Sequence, residues 1–270
     1  MITQAFTVEV PGGRIHGDQV GTGPAVVLLH AGLADRRMWN QVAAGLGTAS
    51  FRVIRFDARG YGESPPSSEP YHPAADVIAV LDHLQVERAH LVGASMGGHT
   101  AMDVAIAYPQ RVTSLALLAS GLPGFEFGDQ LRTYWRAEAA ALDSGDIDAV
   151  IDINLSFWVY GPDRPWTPRL GAVAQELRDQ LRIIAENQAT GEDLEQAADP
   201  LARDALGSIA VPTLVVAAGQ DADDFVRASE VIAAGIPGAR LQRMADAGHL
   251  LALEHPEETL DLLRAHLAGA

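Results

Sequence analysis

Residues 25–30 read Ala-Val-Val-Leu-Leu-His, an apolar run with no polar alternation, entered from Gly23-Pro24. A strand with one wet face alternates; a short run without alternation suits a strand buried on both faces. Such a strand needs helices above and below its sheet. Further strands are predicted over 6–10, 14–20, 51–56, 90–93, 112–119, 211–217 and 240–244, the first two as edge strands joined by the turn Pro11-Gly12-Gly13. Helical spacing occurs over 73–84, with Val77, Val80, Leu81 and Leu84 on one face, and again over 97–108 and 256–267. Strand–helix alternation of this kind builds right-handed βαβ units on a mostly parallel sheet. At 270 residues the chain is long enough for one large α/β domain or two small ones.

The rhythm breaks between residues 122 and 208, where no strand pattern occurs. Three helices are predicted there, over 128–142, 146–158 and 168–189. The segment holds Phe125, Phe127, Tyr134, Trp135, Phe157, Trp158, Tyr160 and Trp166, half of the chain's Phe, Trp and Tyr residues. Because the sheet pattern then resumes, the segment reads as a helical lid inserted into one α/β unit. The chain divides into an N-terminal core segment (residues 1–121), the lid (122–208) and a C-terminal core segment (209–270).

Gly93-Ala94-Ser95-Met96-Gly97 matches G-x-S-x-G, with an apolar run before it and a helix pattern after it. A serine on a sharp strand-to-helix turn takes strained backbone angles and needs small neighbours two residues away on either side. Gly93 and Gly97 meet that need, and Gly98 lets the helix approach the sheet. The turn projects the Ser95 hydroxyl at the carboxyl edge of the strands, where open α/β sheets place ligands. On these residues the chain resembles the α/β-hydrolase fold family, in its lid-bearing esterase and lactonase branch, over essentially its whole length. His30-Ala31-Gly32-Leu33 is similar to the family's oxyanion loop after the third strand, with Ala31 where many members have Gly. Residues 57–64, Asp-Ala-Arg-Gly-Tyr-Gly-Glu-Ser, match the family's D-x-R-G-x-G-x-S turn after the fourth strand, and Gly248-His249 lies after the last. The resemblance implies an α/β-hydrolase fold: a mostly parallel eight-stranded sheet, flanking helices and an inserted helical lid.

Ser95 needs a base to take its proton. Of nine histidines, the resemblance points to His249. The family's equivalent of His30 holds the oxyanion loop, while His90, His99 and His255 read as capping, packing or solvent-facing groups. A catalytic histidine needs an orienting carboxylate. Asp221, the first acid past the strand 211–217, aligns with the family's acid and gives the order Ser…Asp…His expected of this fold. Asp224 reads as the N-cap of the helix that follows. An oxyanion hole needs two backbone N–H donors. Met96, after the serine, is one, and Gly32 the other, with Leu33 as second choice. His30, Leu33, Trp135, Phe157, Trp158 and Leu250 are candidate pocket residues. Asp57 and Arg59 read as members of a structural turn, and 35–37 as a solvated loop.

Composition narrows the chemistry. The formal net charge is −16, from 35 acids against 19 bases, and every base is Arg. Neutralising nucleic-acid phosphates needs a basic footprint, so nucleic acid is not an expected partner. Neither is an anionic membrane surface. Without Lys there is no Schiff-base or phosphate-loop lysine, and without Cys no disulfide, thiolate nucleophile or thiolate metal site. No H-E-x-x-H occurs, and the acids over 221–224 lack the Gly and distal Glu of a calcium loop. No metal and no cofactor are expected. No apolar run approaches the roughly 18 residues of a membrane span, residues 1–4 do not open a signal peptide, and a cytoplasmic location is expected.

The expected activity is hydrolysis of carboxylic esters of small, largely apolar substrates through an acyl-enzyme on Ser95. Hydrolysis of enol-lactones or other lactones, C–C bond hydrolysis and perhydrolysis use the same three groups and stand as alternatives. In another class stands a non-catalytic small-molecule binding protein on the same fold. The lid's Arg132, Arg136, Arg164, Arg169, Arg178 and Arg182 bear on the substrate, since one turned inward selects a carboxylate.

Overall fold

The computed structural model describes residues 3–48, 51–161, 164–190 and 194–270. Its strands are β1 (Gln4–Val10), β2 (Gly13–Val20), β3 (Ala25–Leu29), β4 (Arg52–Phe56), β5 (Ala89–Ala94), β6 (Val112–Leu118), β7 (Thr213–Ala218) and β8 (Arg240–Met244). They form one sheet in the order β1-β2-β4-β3-β5-β6-β7-β8. Every neighbouring pair from β4 to β8 is parallel. The first hairpin departs from the expectation of two edge strands. β1 is an edge, but β2 is hydrogen-bonded on both sides, because its second half pairs antiparallel with β4 from Gly17↔Phe56 to Val20↔Val53.

The helices are α1 (Asn40–Thr48), α2 (Pro73–His83), α3 (Met96–Ala107), α4 (Asp129–Asp143), α5 (Ile147–Asn154), α6 (Pro168–Thr190), α7 (Ala202–Ala205), α8 (Asp223–Gly235), α9 (Leu251–Glu254) and α10 (Pro256–Leu267). They cover both faces of the sheet, as the unbroken apolar run of β3 requires. Val26 and Leu28 enter a core shared with Val42 and Leu46 of α1 and Leu263 and Leu267 of α10. Val27 and Leu29 enter a second core with Leu81 of α2, Val104 of α3 and Ile232 of α8. α1 has no clear signal in the sequence, because Gly45 and Gly47 lower its helix propensity; burial of Val42, Ala43 and Leu46 holds it.

Between β6 and β7 stand α4 to α7. The helix predicted over 146–158 is α-helical only to Asn154 and continues as a π-helical turn, Leu155–Tyr160. Leu131, Ile151, Leu155, Val159, Leu170 and Leu177 of this insertion belong to the same core as Leu33, Leu118 and Leu250. The insertion is thus packed onto the carboxyl edge of the sheet by apolar contact. Residues 35–37 are not a solvated loop. Asp35 is buried and caps a short 3-10 turn, its carboxylate accepting the Arg37 N–H at 2.9 Å. No helix among the described residues is long and apolar enough to cross a membrane.

Candidate active site

Ser95 sits between the end of β5 and the start of α3 with φ 51° and ψ −113°. A non-glycine residue rarely holds such angles unless its surroundings over-determine them. Here they do. The Ser95 N–H donates to the Leu118 carbonyl at 3.0 Å, and the Ser95 carbonyl accepts from the N–H groups of Gly98 (3.0 Å), His99 (3.1 Å) and Gly121 (3.1 Å). The turn is so tight that a Cβ on Gly93 would strike the Gly97 carbonyl, and one on Gly97 would strike the Leu29 carbonyl.

Asp221 follows β7 and His249 follows β8, so both reach the same edge as Ser95. The His249 Nδ1–H donates to Asp221 Oδ2 at 2.8 Å, with both side chains almost fully buried. That bond fixes the proton on Nδ1 and leaves Nε2 as an acceptor. Nε2 is buried and, among the described residues, has no hydrogen-bond partner. The Ser95 hydroxyl does not bond to it here; bonds of this type tighten when substrate is bound. The two loops are tied together by backbone bonds from Gly219 N–H to Met244 and from Gln220 N–H to Ala247, each 2.8 Å.

The loop after β3 is braced from two sides. The His30 Nδ1–H donates to the Ala31 carbonyl and Nε2 accepts the Ala58 N–H, both at 2.9 Å. Burial holds the imidazole pKa below its ordinary value, which favours the neutral form that makes both bonds. From the other side, the Gln180 side-chain oxygen of α6 accepts the Asp35 N–H at 2.9 Å. Gly32 thereby lies against Met96: a Cβ on it would stand 3.6 Å from the Met96 sulfur and 3.7 Å from the Tyr61 hydroxyl. The turn beneath is structural, as its sequence suggests. Asp57 accepts the N–H groups of Arg36 and Glu63 at 2.9 Å each, and Arg59 pairs with Asp76 at 2.7 Å.

The family model for the alpha/beta hydrolase fold matches residues 24–256. The chain belongs to the alpha/beta hydrolase fold family. A 2-hydroxy-6-oxononadienedioate/2-hydroxy-6-oxononatrienedioate hydrolase of Cupriavidus pinatubonensis is 30% identical over 257 residues, covering 90% of this chain and 86% of that protein. The 3-oxoadipate enol-lactonase 1 of Acinetobacter baylyi is 28% identical over 271 residues, covering 97% of this chain and 94% of that one. A solved structure of an N-acyl homoserine lactone degrading enzyme, Est816, matches with a TM-score of 0.77 at 31% identity, covering 96% of this chain and 99% of that one. With such relatives the protein is a hydrolase.

In this alpha/beta hydrolase two aromatic rings flank the His249 imidazole, one from the insertion and one from α8. The Trp158 ring lies 4.2 Å from the His249 ring, and Phe225 meets the same imidazole edge-on at 4.7 Å. Phe157 is one step further out, stacked on Tyr134 at 4.5 Å. Trp135 is not brought against His249. It is 41% exposed and touches the cluster through Phe127. Leu33 and Leu250 are buried in the core. Phe225 was not legible as a site residue, since it lies inside a helix start with no aromatic pattern around it. Tyr61, 4.9 Å from the His30 ring, carried a signal only as the variable residue of the turn motif. Asp224 does not cap α8. Ala222 holds the N-cap position, and the Asp224 carboxylate instead accepts the Gly128 N–H at 2.8 Å, at the entry to α4. Among the described residues no group of three His, Asp or Glu side chains is arranged to hold a metal ion.

Proposed function

We propose that this hydrolase cleaves small, uncharged, largely apolar carboxylic esters through an acyl-enzyme on Ser95, with His249 as base and Asp221 orienting it. The observation that carries the reading is the His249 imidazole. One nitrogen is fixed by a buried carboxylate and the other is a buried acceptor without a partner among the described residues, at the edge where the strained Ser95 follows β5. A buried unpaired acceptor is costly and calls for a functional account. Taking the Ser95 proton supplies one.

Ser95 Oγ attacks the ester carbonyl carbon while its proton passes to His249 Nε2. The oxyanion is met by the N–H groups of Met96 and Gly32, each donor contributing about 3–4 kcal/mol to the transition state. Asp221 stabilises the imidazolium. As the C–O bond breaks, His249 returns the proton to the leaving alkoxide. Water, deprotonated by the same nitrogen, then releases the acid, and Ser95 regains its proton. Residues 122–208 act as a lid over this edge.

The insertion's arginines support an uncharged substrate. Arg178 and Arg182 lie exposed on Asp152 and Asp148, Arg132 on Asp129, and Arg136 on the Arg132 carbonyl. Arg169 meets His255 and Arg164 pairs with Glu254. The two relatives from Cupriavidus and Acinetobacter are named for carboxylate-bearing substrates, whereas here each of these guanidiniums is matched to the protein itself. A second reading, an uncharged lactone, is favoured by the likeness to the lactone-degrading structure. The lack of cysteine and the acidic charge suit a cytoplasmic setting without nucleic acid as partner.

The test is a burst experiment with p-nitrophenyl acetate, with fluorophosphonate labelling beside it. An acyl-enzyme burst and labelling that vanish in Ser95→Ala, and in His249→Ala but not in folded His30→Ala, are expected. A panel with and without a free carboxylate then reads the substrate class. Absence of turnover on every ester and lactone points to a binding protein.

A further inference from the structure

Arg164 lies just past the π-helical turn, with a side chain only 10% exposed. Its Nε donates to the Gln220 side-chain oxygen at 3.0 Å and its Nη1 to the Val159 carbonyl at 3.0 Å. Both terminal nitrogens face the Glu254 carboxylate, which is 1% exposed. Each acceptor adjoins a group of the site. Gln220 precedes Asp221. Val159 follows Trp158, whose ring covers His249. Glu254 accepts the N–H of Gly248, the residue before His249, at 3.0 Å. The fit leaves no room, since a Cβ on Gly248 would collide with Arg164 Nη1.

We propose that Arg164 is a positioning residue for the hydrolytic step: one guanidinium that sets the Asp221 loop, the His249 loop and the Trp158 turn relative to one another. The inference rests on the reading of Ser95, His249 and Asp221 given above. The physical need is plain. The Asp221 and His249 loops lie beyond the ends of β7 and β8, where the backbone bonds of Gly219 and Gln220 tie them to each other. Trp158 comes from a different stretch of the chain. A planar fork presents its N–H donors from three nitrogens in fixed directions and so reaches three separated acceptors at once, whereas an ammonium has three donors on one freely turning nitrogen. The same geometry removes Arg164 from any role in selecting a carboxylate substrate, because its nitrogens are turned to Glu254, Gln220 and Val159.

Displacing a catalytic group by about 1 Å costs on the order of 10²-fold in rate. Loss of Arg164 therefore lowers kcat and leaves KM nearly unchanged, the signature of an interaction that acts in the transition state. Arg164→Gln alone strands a buried carboxylate and is prone to unfold. The main variant is thus Arg164→Gln with Glu254→Gln, in which the new amide oxygen at position 254 still accepts the Gly248 N–H. Arg164→Lys is the companion, retaining the charge but not the fork.

Both are assayed with p-nitrophenyl acetate and by the rate of fluorophosphonate labelling, with thermal melts to establish folding. Folded variants with kcat reduced about 10²-fold in the double variant, less in Arg164→Lys, and labelling slowed in parallel, are the expected result. A folded double variant or Arg164→Lys with the kcat of the parent, or a loss confined to KM, overturns the inference. Ser95→Ala separates the two levels. If it is inactive while the Arg164 variants are fully active, only the positioning role falls. If it remains active, the hydrolytic reading falls and takes this one with it.

Discussion

The indole of Trp158 lies over the imidazole of His249, with ring centroids 4.2 Å apart and planes inclined by 35°. In the proposed mechanism the imidazole becomes a cation during each proton transfer, and an aromatic face within about 6 Å stabilises a cation by roughly 0.5–2 kcal/mol when water is excluded. The same ring packs edge-on against Phe225 at 5.3 Å and Phe157 at 4.7 Å, so it is an aromatic wall beside the imidazole. Trp158→Leu is expected to lower kcat on short esters a few-fold and to shift kcat/KM toward longer acyl chains. A series of p-nitrophenyl esters of increasing acyl length reads both effects. An unchanged chain-length profile would show that Trp158 does not bound the substrate.

Asp221 fixes the tautomer of His249 through the 2.8 Å bond to Nδ1–H. In Asp221→Asn the side-chain NH2 faces that nitrogen, and the imidazole proton moves to Nε2, where it blocks proton acceptance. A fall in kcat of about 10⁴-fold is expected, with folding retained. Kinetics together with a thermal melt test it. A loss below tenfold in a folded variant would mean that a different carboxylate orients the base.

The site's skeleton was legible because its constraints are local. G-x-S-x-G at a strand-to-helix junction dictates the backbone angles that Ser95 shows, and the glycines stand where any Cβ collides with backbone. The buried strands were legible from unbroken apolar runs such as 25–29, and α10 from its spacing and its leading Pro256. What stayed hidden depends on contacts distant in sequence. β2 reads as an edge because nothing in it announces β4 on its far side. Asp224 has the look of a cap, yet serves Gly128 at the start of another helix. Arg164 is one arginine among several until the fold sets Gln220, Val159 and Glu254 around it.

Gln180 illustrates how a single long-range bond is expected to matter. Its buried amide oxygen accepts the Asp35 N–H across 145 positions of sequence. Gln180→Leu keeps the volume close but leaves that buried N–H without a partner, at a cost of about 1–3 kcal/mol. A lowered denaturation midpoint is expected, with a smaller loss of kcat from a looser loop around Gly32, the proposed oxyanion donor. Chemical denaturation measures the first and ester kinetics the second. A variant as stable as the parent would show that water or another acceptor replaces Gln180.

Acid sensitivity follows from three buried histidines. Burial is the leading cause that holds the pKa values of His30, His90 and His266 below the ordinary value. In the fold they take up protons less readily than in the unfolded chain, where they do so near pH 6.5, at about the ordinary histidine value. Between the folded and unfolded values the unfolded state binds more protons, so stability rises with pH. It is fully present above about pH 6.5 and is lost as the pH falls below it. Asp57, whose carboxyl burial pushes up, acts in the opposite sense, gaining as the pH falls, and Glu63, held low by Arg36, loses its contribution only below the ordinary carboxyl range, so a decline between neutrality and about pH 5 is assigned to the histidines. Thermal melts between about pH 8 and about pH 5 are expected to show a plateau and then a falling Tm. His90→Gln, which keeps a polar group beside Ser114, is expected to shallow the fall. A Tm that stays level or rises from neutral to mildly acidic pH would mean that these imidazoles gain protons in the folded state and find partners there.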